Sequence, residues 1–434
     1  MNISGGKNAK GTDGTAESGR SLNIVFAGGG TAGHVNPLLS IAAAVRKQAP
    51  NAVISVIGTK AGLESRLVPA ANLPIDYIEK VPFPRGINAA AFRFPSRWIK
   101  ETRKVREILS LRKADAVVGV GGYAAAPAYK VAHDMGIPLI IHEQNAKAGM
   151  ANKLGARRAD FIGTVYENTG LVAKAENARI ERVGLPLRES ICSAVSRLEK
   201  DREKTREECA KQLGLDPSRP ILLVTGGSLG ALSVNTAVAK SSRELLQAAQ
   251  IIHLTGKGKL EQVKKLVAQA CGEQCLSGLG NADCGDSAVC DSAVCDSAAG
   301  SFSAGSAGDY HAVEYWERMD IAFCAADLVI GRSGAGTVAE ISALGIPAVY
   351  VPLPIGNGEQ RFNAEPVADA SGAIIINDEN FDCEYASCEI PKLIRDKKKL
   401  ESMSEAAWKY GIRDAAEKMA REIIALAESY RLRK

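Results

Sequence analysis

LNIVFAGGGTAGHVNPLLSIA, residues 22–42, is the stretch of this chain that determines its fold. Leu22–Ala27 is an almost continuous apolar run, which is typical of a parallel strand buried on both faces. Glycines follow, and Pro37–Gln48 has the pattern of a helix with proline at its opening. A buried strand, a glycine turn and a helix in this order predict the first unit of a Rossmann-like sheet.

The same alternation continues along the chain and then restarts. Apolar runs typical of buried strands occur at 53–57, 116–120 and 138–141, and again at 220–224, 251–254, 328–330 and 348–351. Helical stretches lie between them, including the charged segment 197–213. Two successive units, each with a glycine-rich first turn, predict an α/β protein with two Rossmann-like domains. Gly and Pro interrupt the pattern near Gly184–Glu189, where we expect the boundary.

Length and composition agree with two domains. The chain has 434 residues, is 46% hydrophobic and contains 42 glycines, which suits tight strand-to-helix turns. A net charge of +5 does not imply a nucleic-acid partner. Residues 1–20 lack the apolar core of a signal peptide and predict a disordered tail. No apolar run approaches the length of a membrane-spanning helix, so we expect a cytosolic protein.

The cysteines do not predict a metal site. Of the ten cysteines, several lie in one segment, 271–309, where CGDSAVCDSAVCDSAA repeats a short unit. Zinc sites usually pair close cysteines as C-x-x-C, and that spacing is missing here. The alternative that the composition favours is a low-complexity, disordered insert.

The first glycine turn, Gly28–Gly33, is followed by His34. A helix N-terminus behind such a turn presents free N–H groups to a phosphate. The pattern matches G-x-G-x-x-G, but the second strand ends in Gly58-Thr59-Lys60, where nicotinamide enzymes carry an acid for the ribose. His34 is a candidate base or phosphate ligand; the alternative is a helix-terminal histidine satisfied by its own backbone.

The second half offers three more glycine-rich strand ends. Gly226–Gly230 includes Ser228, Arg332–Glu340 begins another helix, and Gly356–Gln360 places polar side chains in a loop. Glu340 suits the vicinal hydroxyls of a ribose, although alone it would be an ordinary dipole-complementing glutamate. Because carboxyl ends of parallel strands share one edge of a sheet, we expect these turns to converge on a ligand.

A polar group, His142–Asn145, ends a strand in the first half, and Asn152 follows it. Adjacent polar residues at a strand end are poorly suited to the core, so they indicate a functional role. The alternative is a hydrogen-bonded network that stabilises the turn.

Together these segments resemble the MurG family, which transfers N-acetylglucosamine (GlcNAc) from UDP-GlcNAc to lipid I and forms lipid II in peptidoglycan synthesis. The similarity extends from Leu22 to about Leu426 and omits the tail and the insert. The motifs that match are GGGTAGHVNPLLSIA (28–42), GGYAAAP (121–127), HEQNAKAGMANK (142–153), GLPLR (184–188), GGSLGA (226–231), RSGAGTVAE (332–340) and NGEQRFNAEP (357–366).

The resemblance implies the GT-B architecture, in which two Rossmann-like domains face a cleft. It implies an N-terminal acceptor and membrane domain, 21–185, and a C-terminal donor domain, 186–413. A helix at 414–434 would cross back to the first domain. It also implies a hexosyltransferase that needs no cofactor, acts at the cytoplasmic face of the membrane and contacts other cell-wall synthesis proteins.

The resemblance also assigns site residues. Glu340 would bind the ribose hydroxyls, while backbone groups and Thr337 would serve the donor phosphates. Trp316 and Met319 fall where the family packs apolar residues around the uracil. The donor set is Arg188, Ser228, Ala335, Gly336, Thr337, Val338, Ala339, Glu340 and Gln360. The junction of donor and acceptor would be lined by Thr31, Ala32, Gly33, His34 and Asn145.

Four positions depart from the family pattern. Ala32 replaces a glycine, Leu185 an asparagine, Leu229 a glutamine and Glu359 a glutamine. The change at 229 removes one polar donor contact.

The family reaction inverts the sugar linkage in one displacement, so it requires a base and stabilisation of the departing UDP. His34 is the first candidate for the base or a diphosphate contact, and Glu143 is the second. The helix N-terminus at Gly336 and Thr337 can stabilise the leaving group, and no D-x-D pair suggests a metal.

Basic and apolar residues alternate between Arg85 and Arg106. The apolar members are Ile87, Phe92, Phe94, Trp98 and Ile99, and the basic ones are Arg85, Arg93, Arg97, Lys100, Arg103, Lys104 and Arg106. This pattern favours an anionic membrane surface. The alternative is a solvated basic helix with its apolar side in the core.

Other functions remain compatible with these motifs. They are a UDP-sugar-dependent GT-B transferase with a different lipid acceptor, an isomerase acting on UDP-GlcNAc, and a nucleotide-sensing protein without catalysis.

Overall fold

The structure is a computed structural model that describes residues 21–83, 89–174, 178–227, 229–279, 308–354 and 358–434. Of helix residues 89–91 it describes the backbone only. The predicted tail at 1–20 and most of the predicted insert therefore lie outside the described residues.

The first half of the chain forms a seven-stranded parallel sheet in the order β3-β2-β1-β4-β5-β6-β7. Its strands are β1 (Asn23–Ala27), β2 (Val53–Thr59), β3 (Ile75–Ile78), β4 (Ala116–Gly119), β5 (Leu139–Glu143), β6 (Phe161–Thr164) and β7 (Arg179–Arg182). Its helices are α1 (Ala32–Gln48), α2 (Glu64–Ala70), α3 (Ala89–Leu111), α4 (Ala125–Asp134) and α5 (Met150–Ala156).

The second half forms another seven-stranded parallel sheet, in the order β10-β11-β9-β8-β12-β13-β14. Its strands are β8 (Ile221–Thr225), β9 (Gln250–Leu254), β10 (Leu276–Ser277), β11 (Tyr310–Val313), β12 (Leu328–Gly331), β13 (Ala348–Tyr350) and β14 (Ala373–Ile375). Its helices are α6 (Glu189–Lys200), α7 (Arg202–Gln212), α8 (Leu232–Lys240), α9 (Ser242–Leu246), α10 (Leu260–Cys271), α11 (Met319–Ala325), α12 (Ala335–Leu344), α13 (Glu359–Asp369), α14 (Cys383–Arg395), α15 (Lys397–Tyr410) and α16 (Ala415–Leu432).

Strand β1 shows why the apolar runs become central strands. Ile24 and Phe26 pack into the core on one face of the sheet, while Val25 and Ala27 pack into the core on the other face. Side chains alternate across a strand, so a strand with a helix layer on each face needs apolar residues at every position. The predicted α/β class is confirmed by the two parallel sheets.

Helix α16 belongs by its contacts to the first half, although it follows the second sheet in the chain. Met419, Ala420 and Ile423 lie in the same core cluster as Ile24 and Phe26. The domain boundaries given above stay a prediction.

Several local predictions are wrong. Helix α1 begins at Ala32, so Pro37 lies inside it rather than at its opening. The segment 197–213 is two helices, because Asp201 ends α6 and its side chain caps α7 by accepting from the N–H of Lys204 at 3.0 Å. Residues 271–279 are not a low-complexity loop, since they contain the end of α10, a 3-10 turn and strand β10.

Short strands were missed. Strand β7 has the sequence RIER and is largely exposed at the sheet edge, so no apolar pattern marks it. Among the helices of the described ranges, none combines the length and the apolar character needed to span a bilayer.

Candidate active site

Each sheet has a helix N-terminus at the point where its strand order reverses. In the first sheet this is the turn between β1 and α1, beside β4; in the second it is the turn between β12 and α12, beside β8. Open α/β sheets bind ligands at such reversals, outside the carboxyl ends of the strands. Both helix N-termini combine unpaired backbone amides with a partial positive charge, so both suit a phosphate.

The first turn is held by Glu64, a glutamate that is not among the site residues predicted from the sequence. The carboxylate of Glu64 accepts from the N–H of Gly30 at 2.6 Å, from the N–H of Thr59 at 2.9 Å and from the hydroxyl of Thr59 at 2.7 Å. The residue is 1% exposed. Burial alone would raise the pKa of Glu64, but these hydrogen bonds bring it below its ordinary value.

Two glycines of the turn are required by this arrangement. A Cβ on Gly29 would lie 2.3 Å from the carboxylate carbon of Glu64. Gly30 has φ +99°, a backbone conformation that other residues rarely adopt. The turn therefore depends on glycine both for space and for backbone freedom.

His34 lies on the first turn of α1 and is half-buried. Its Nδ1 is 3.1 Å from the hydroxyl of Thr31, and a Cβ on Gly121 would be 3.2 Å from Nε2 of the ring. Burial lowers the pKa of His34, while the nearby charge of Glu64 opposes that shift. At neutral pH the imidazole is therefore mostly unprotonated, as a base must be.

Thr31, Ala32 and Gly33 are exposed beside His34. Thr31 is the N-cap of α1, yet its side chain makes no cap hydrogen bond. Ala32 is the first residue of the helix, where alanine is readily accommodated, so its replacement of glycine causes no backbone strain.

Glu143 is a buried organiser of the next loop. Its carboxylate accepts from the N–H of Asn145 at 2.9 Å, the N–H of Gly149 at 3.0 Å and the side chain of Asn152 at 2.9 Å. The residue is 1% exposed, and burial raises the pKa of its carboxyl group despite these bonds. This geometry matches the alternative of a network that stabilises the turn.

The network continues beneath His34. The side-chain oxygen of Asn152 accepts from the hydroxyl of Tyr129 at 2.7 Å, and that hydroxyl accepts from the N–H of Gly121 at 3.1 Å. His142 lies alongside, with Nε2 2.9 Å from the carbonyl oxygen of Gly184. Burial lowers the pKa of His142 to about 4, so this second histidine is neutral.

Helix α12 supplies the corresponding turn of the second half. Ala335, Gly336, Thr337 and Ala339 are half-buried and Val338 is buried. The N-cap, Gly334, has no side chain to cap the helix, and a Cβ on Gly336 would meet no atom within 4 Å. The backbone at this helix start is therefore accessible to a ligand.

Arg188 and Glu340 lie together at this turn. The guanidinium donates through Nε and Nη2 to the two carboxylate oxygens, each at 2.8 Å. The side chains are 33% and 13% exposed. A bidentate pair fixes the orientation of both side chains, and each carboxylate oxygen retains a lone pair for a further donor.

The remaining predicted donor residues are less directly placed. The side-chain oxygen of Gln360 accepts from the N–H of Leu353 at 3.0 Å, which leaves its amino group for other partners. Trp316 is buried in a core cluster with Met319 beside it, and the indole N–H of Trp316 has no partner among the described residues. Ser228, Gly356 and Asn357 lie outside the described residues.

Two of the residues that depart from the family pattern, Leu185 and Leu229, lie in different environments. Leu185 is buried with Val165 and Tyr166, and Ala339 of α12 packs against them. Leu229 is 78% exposed.

The two sides are joined through Asn363, which is not among the site residues predicted from the sequence. Asn363 of α13 accepts from the N–H of Ala146, which follows Asn145, at 3.0 Å. Asn363 lies within the motif 357–366, but the motif does not indicate which of its side chains makes this contact. Glu64 did leave a signal, because an acid was sought at the end of β2 and lies five residues beyond Thr59.

Two family models match the chain. The glycosyltransferase family 28 N-terminal domain matches residues 24–164, and the glycosyltransferase family 28 C-terminal domain matches residues 221–274 and 285–419. Together they extend over most of both sheets.

A curated relative from Bifidobacterium longum is 55% identical over 94% of this chain and 98% of its own length. It is named UDP-N-acetylglucosamine–N-acetylmuramyl-(pentapeptide) pyrophosphoryl-undecaprenol N-acetylglucosamine transferase. The crystal structure of Acinetobacter baumannii MurG is 27% identical and superposes with a TM-score of 0.70 over 93% of this chain and 99% of that one.

A UDP-GlcNAc 2-epimerase from Neisseria meningitidis, solved with UDP-GlcNAc bound, has a TM-score of 0.60 over 94% of this chain and 100% of its own. Its identity is 11%, so it shares the fold alone. The GT-B architecture and the family resemblance predicted from the sequence are confirmed by these matches. The chain belongs to glycosyltransferase family 28 and, within it, to the MurG family.

Proposed function

We propose that this protein transfers GlcNAc from UDP-GlcNAc to lipid I, undecaprenyl-pyrophosphoryl-MurNAc-pentapeptide, and so forms lipid II. The strongest structural support is the α12 turn, where an open helix N-terminus and an oriented carboxylate, Glu340, lie within one segment. A nucleoside diphosphate has the complementary chemistry: a diphosphate for the amides and vicinal ribose hydroxyls for the carboxylate.

On the donor side, amides at the start of α12 and the hydroxyl of Thr337 bind the diphosphate. Glu340 accepts from the ribose hydroxyls, and Arg188 keeps its carboxylate in place. Gln360 contributes its free amino group to the sugar or phosphate. As the glycosidic bond breaks, negative charge grows on the departing UDP, and the helix N-terminus stabilises that charge.

On the acceptor side, the backbone at Thr31, Ala32 and Gly33 binds the lipid diphosphate at the start of α1. Asn145, held by Glu143, lies toward the junction of the two substrates. His34 removes the proton from the acceptor 4-hydroxyl as its oxygen attacks the anomeric carbon from the side opposite UDP. This single displacement converts an α-linked donor into a β-linked product.

The choice of His34 over Glu143 as base follows from access. Glu143 is 1% exposed and its oxygens already accept several hydrogen bonds. A base must reach the reacting hydroxyl, and His34 is the half-buried group of the two.

The test is a transfer assay. Purified protein is incubated with labelled UDP-GlcNAc and a short-chain lipid I analogue, and the expected product is the labelled disaccharide. A parallel incubation without acceptor is the control, because an isomerase would convert UDP-GlcNAc there and a transferase would not. Binding of UDP-GlcNAc without any product would instead favour a sensing protein.

Another lipid acceptor is the main alternative within this architecture. An analogue that keeps the lipid diphosphate but carries a different sugar, with a free 4-hydroxyl and no pentapeptide, separates the two. Equal transfer to both acceptors would contradict the assignment of lipid I.

Membrane attachment is proposed for the basic and apolar surface at the start of α3. Phe92 is 79% exposed and Ile99 is 57% exposed. Behind them, Phe83, Phe94 and Trp98 form an aromatic cluster with ring centroids 5.4 to 5.6 Å apart. Exposed basic residues surround these side chains: Arg93, Arg97, Lys100, Arg103, Lys104 and Arg106.

The alternative of an apolar side in the core applies to the later part of the same helix, where Val105 and Leu109 are fully buried. Exposed aromatic and basic groups at its start suit an anionic lipid surface. Arg85 and Ile87 of the predicted patch lie outside the described residues. Peripheral attachment at the cytoplasmic face is part of this proposal, and contact with other cell-wall synthesis proteins stays a prediction.

Vesicle sedimentation tests the attachment. Replacing Arg97 and Lys100 with glutamate should weaken binding to anionic vesicles, since each basic residue near such a surface contributes about 1 kcal/mol. The matched control replaces two exposed lysines of α15, Lys397 and Lys398, with glutamate. If the Arg97 and Lys100 variant bound anionic vesicles as well as the unchanged protein does, the docking site would lie elsewhere.

A further inference from the structure

Asn363 is a buried side chain that contacts both halves of the protein, and the mechanism above gives it no role. It lies on α13 and is 1% exposed. Its side-chain oxygen accepts from the N–H of Ala146 at 3.0 Å. Its side-chain nitrogen donates to the carbonyl oxygen of Ser333 at 3.3 Å.

These partners define which side chain is required. The N–H of Ala146 needs an acceptor, and the carbonyl of Ser333 needs a donor. A carboxamide supplies both, whereas a carboxylate cannot donate and an aliphatic side chain can do neither. Because Asn363 is buried, losing it leaves backbone groups with poor access to replacement partners.

The two backbone groups belong to opposite sides of the candidate site. Ala146 follows Asn145 in the loop that Glu143 organises. Ser333 directly precedes Gly334, the N-cap of α12. One carboxamide therefore joins the acceptor-side loop to the donor-side helix start.

Neighbouring residues meet at the same place. The ammonium group of Lys147 lies over the ring of Phe362, 5.9 Å from its centroid. Ala146 and Ala339 pack against a shared apolar cluster of Val165, Tyr166 and Leu185. The hydrogen bonds of Asn363 are thus the polar part of a small interface between the two halves.

We infer that Asn363 is a positioning residue for glycosyl transfer, an inference that rests on the function proposed above. Each substrate is bound mainly by one half, so the reacting atoms meet only when the two halves have the correct relative position. Asn363 sets that position by joining residues 146 and 333. A misplacement of about 1 Å between reacting groups can lower a rate roughly 100-fold.

The test compares two substitutions. Asn363→Asp keeps the shape and the acceptor for Ala146 but places an oxygen against the carbonyl of Ser333. Asn363→Ser removes both bonds without adding charge, and keeps the experiment informative should the aspartate unfold the chain. For each, kcat should fall about 10- to 100-fold, while KM for the donor and the Kd for UDP stay close to those of the unchanged protein.

Asp369→Asn is the matched control, since it exchanges a carboxylate and an amide at an exposed position of the same helix. It should leave kcat unchanged, and melting temperatures show which variants are folded. An unchanged kcat in the folded Asn363 variants would overturn the inference, as would an equal loss of UDP affinity, because Asn363 would then only shape the donor turn. Absence of transfer by the unchanged protein would instead overturn the proposed function.

Discussion

The turn before α1 and the turn before α12 each have a glutamate close by, and the two carboxylates are used differently. Glu64 lies beneath the first turn, 1% exposed, and accepts hydrogen bonds from Gly30 and Thr59. Glu340 lies on the helix that follows the second turn, and its partner is the side chain of Arg188. The first carboxylate is enclosed by the chain, whereas the second faces a position that a ligand can reach.

The difference separates two ways of preparing a phosphate site. In the first half, the acid fixes the backbone that would meet the acceptor and adds negative charge near His34. In the second half, the acid is itself the proposed ligand group, and an arginine orients it. We therefore expect substitutions of the acid at the first turn to change chemistry and stability, and substitutions of the acid at the second turn to change nucleotide affinity.

The largest expected effect is a loss of turnover in the His34→Ala variant. Loss of a general base typically lowers kcat by about 10²- to 10⁴-fold, while the Kd for UDP should stay near its original value because the proposed UDP site lies in the other half. His133→Ala, at an exposed position on α4, is the control. An unchanged kcat would show that His34 is not the base.

Glu340→Ala should show the reverse pattern. A hydrogen bond to a charged group contributes about 1.5–3 kcal/mol, so we expect the Kd for UDP to rise about 10- to 100-fold. Isothermal titration calorimetry measures this, with the exposed Glu379→Ala as control. If UDP binding persists, Glu340 serves the fold in the way that Glu64 does, and the contrast between the two turns fails.

Glu64→Gln should destabilise the protein by about 1–3 kcal/mol, because the amide nitrogen would face backbone donors that now have an acceptor. Denaturant unfolding measures this against Glu107→Gln, a substitution of an exposed acid of α3.

The pKa of Glu64 is lower in the folded chain than its ordinary value. Its contribution is therefore full above the unfolded pKa of about 4.3 and is lost as pH falls through the folded pKa. The stabilities of the two proteins should converge at acidic pH, and a constant difference would contradict this explanation.

The smallest expected effect is a shift in the pH profile. The pKa of His34 is lowered by burial and raised by the charge of Glu64. If unprotonated His34 is the base, kcat/KM rises with pH through that pKa. Glu64→Gln removes the charge, so the rising limb should move to lower pH. A shift of the rising limb to higher pH, or no shift, would show that the charge of Glu64 does not raise the pKa of the group that limits kcat/KM.

The sequence was sufficient for the central strands of both sheets and for both turns, because buried parallel strands require apolar runs and the turns require glycine. It also placed His34 directly after the first glycine turn, although the helix was predicted to begin only at Pro37. It could not distinguish the three acids. Glu64, Glu143 and Glu340 all lie at or beyond the end of a strand or turn, and only the tertiary contacts show that two are enclosed. The link from Asn363 to Ala146 was equally hidden, since it joins residues 217 positions apart and depends on the packing of two domains.

Helix α16 adds a consequence for biosynthesis. Met419, Ala420 and Ile423 complete the apolar layer that covers Ile24 and Phe26, yet they are translated only after the whole second sheet. While the ribosome is still making that sheet, the first sheet has one face without its final cover. A nascent chain in this state exposes apolar surface that can associate with other chains. Removing residues 415–432 should therefore damage the first half rather than the second, and pulse proteolysis of stalled nascent chains would show which half gains protection last.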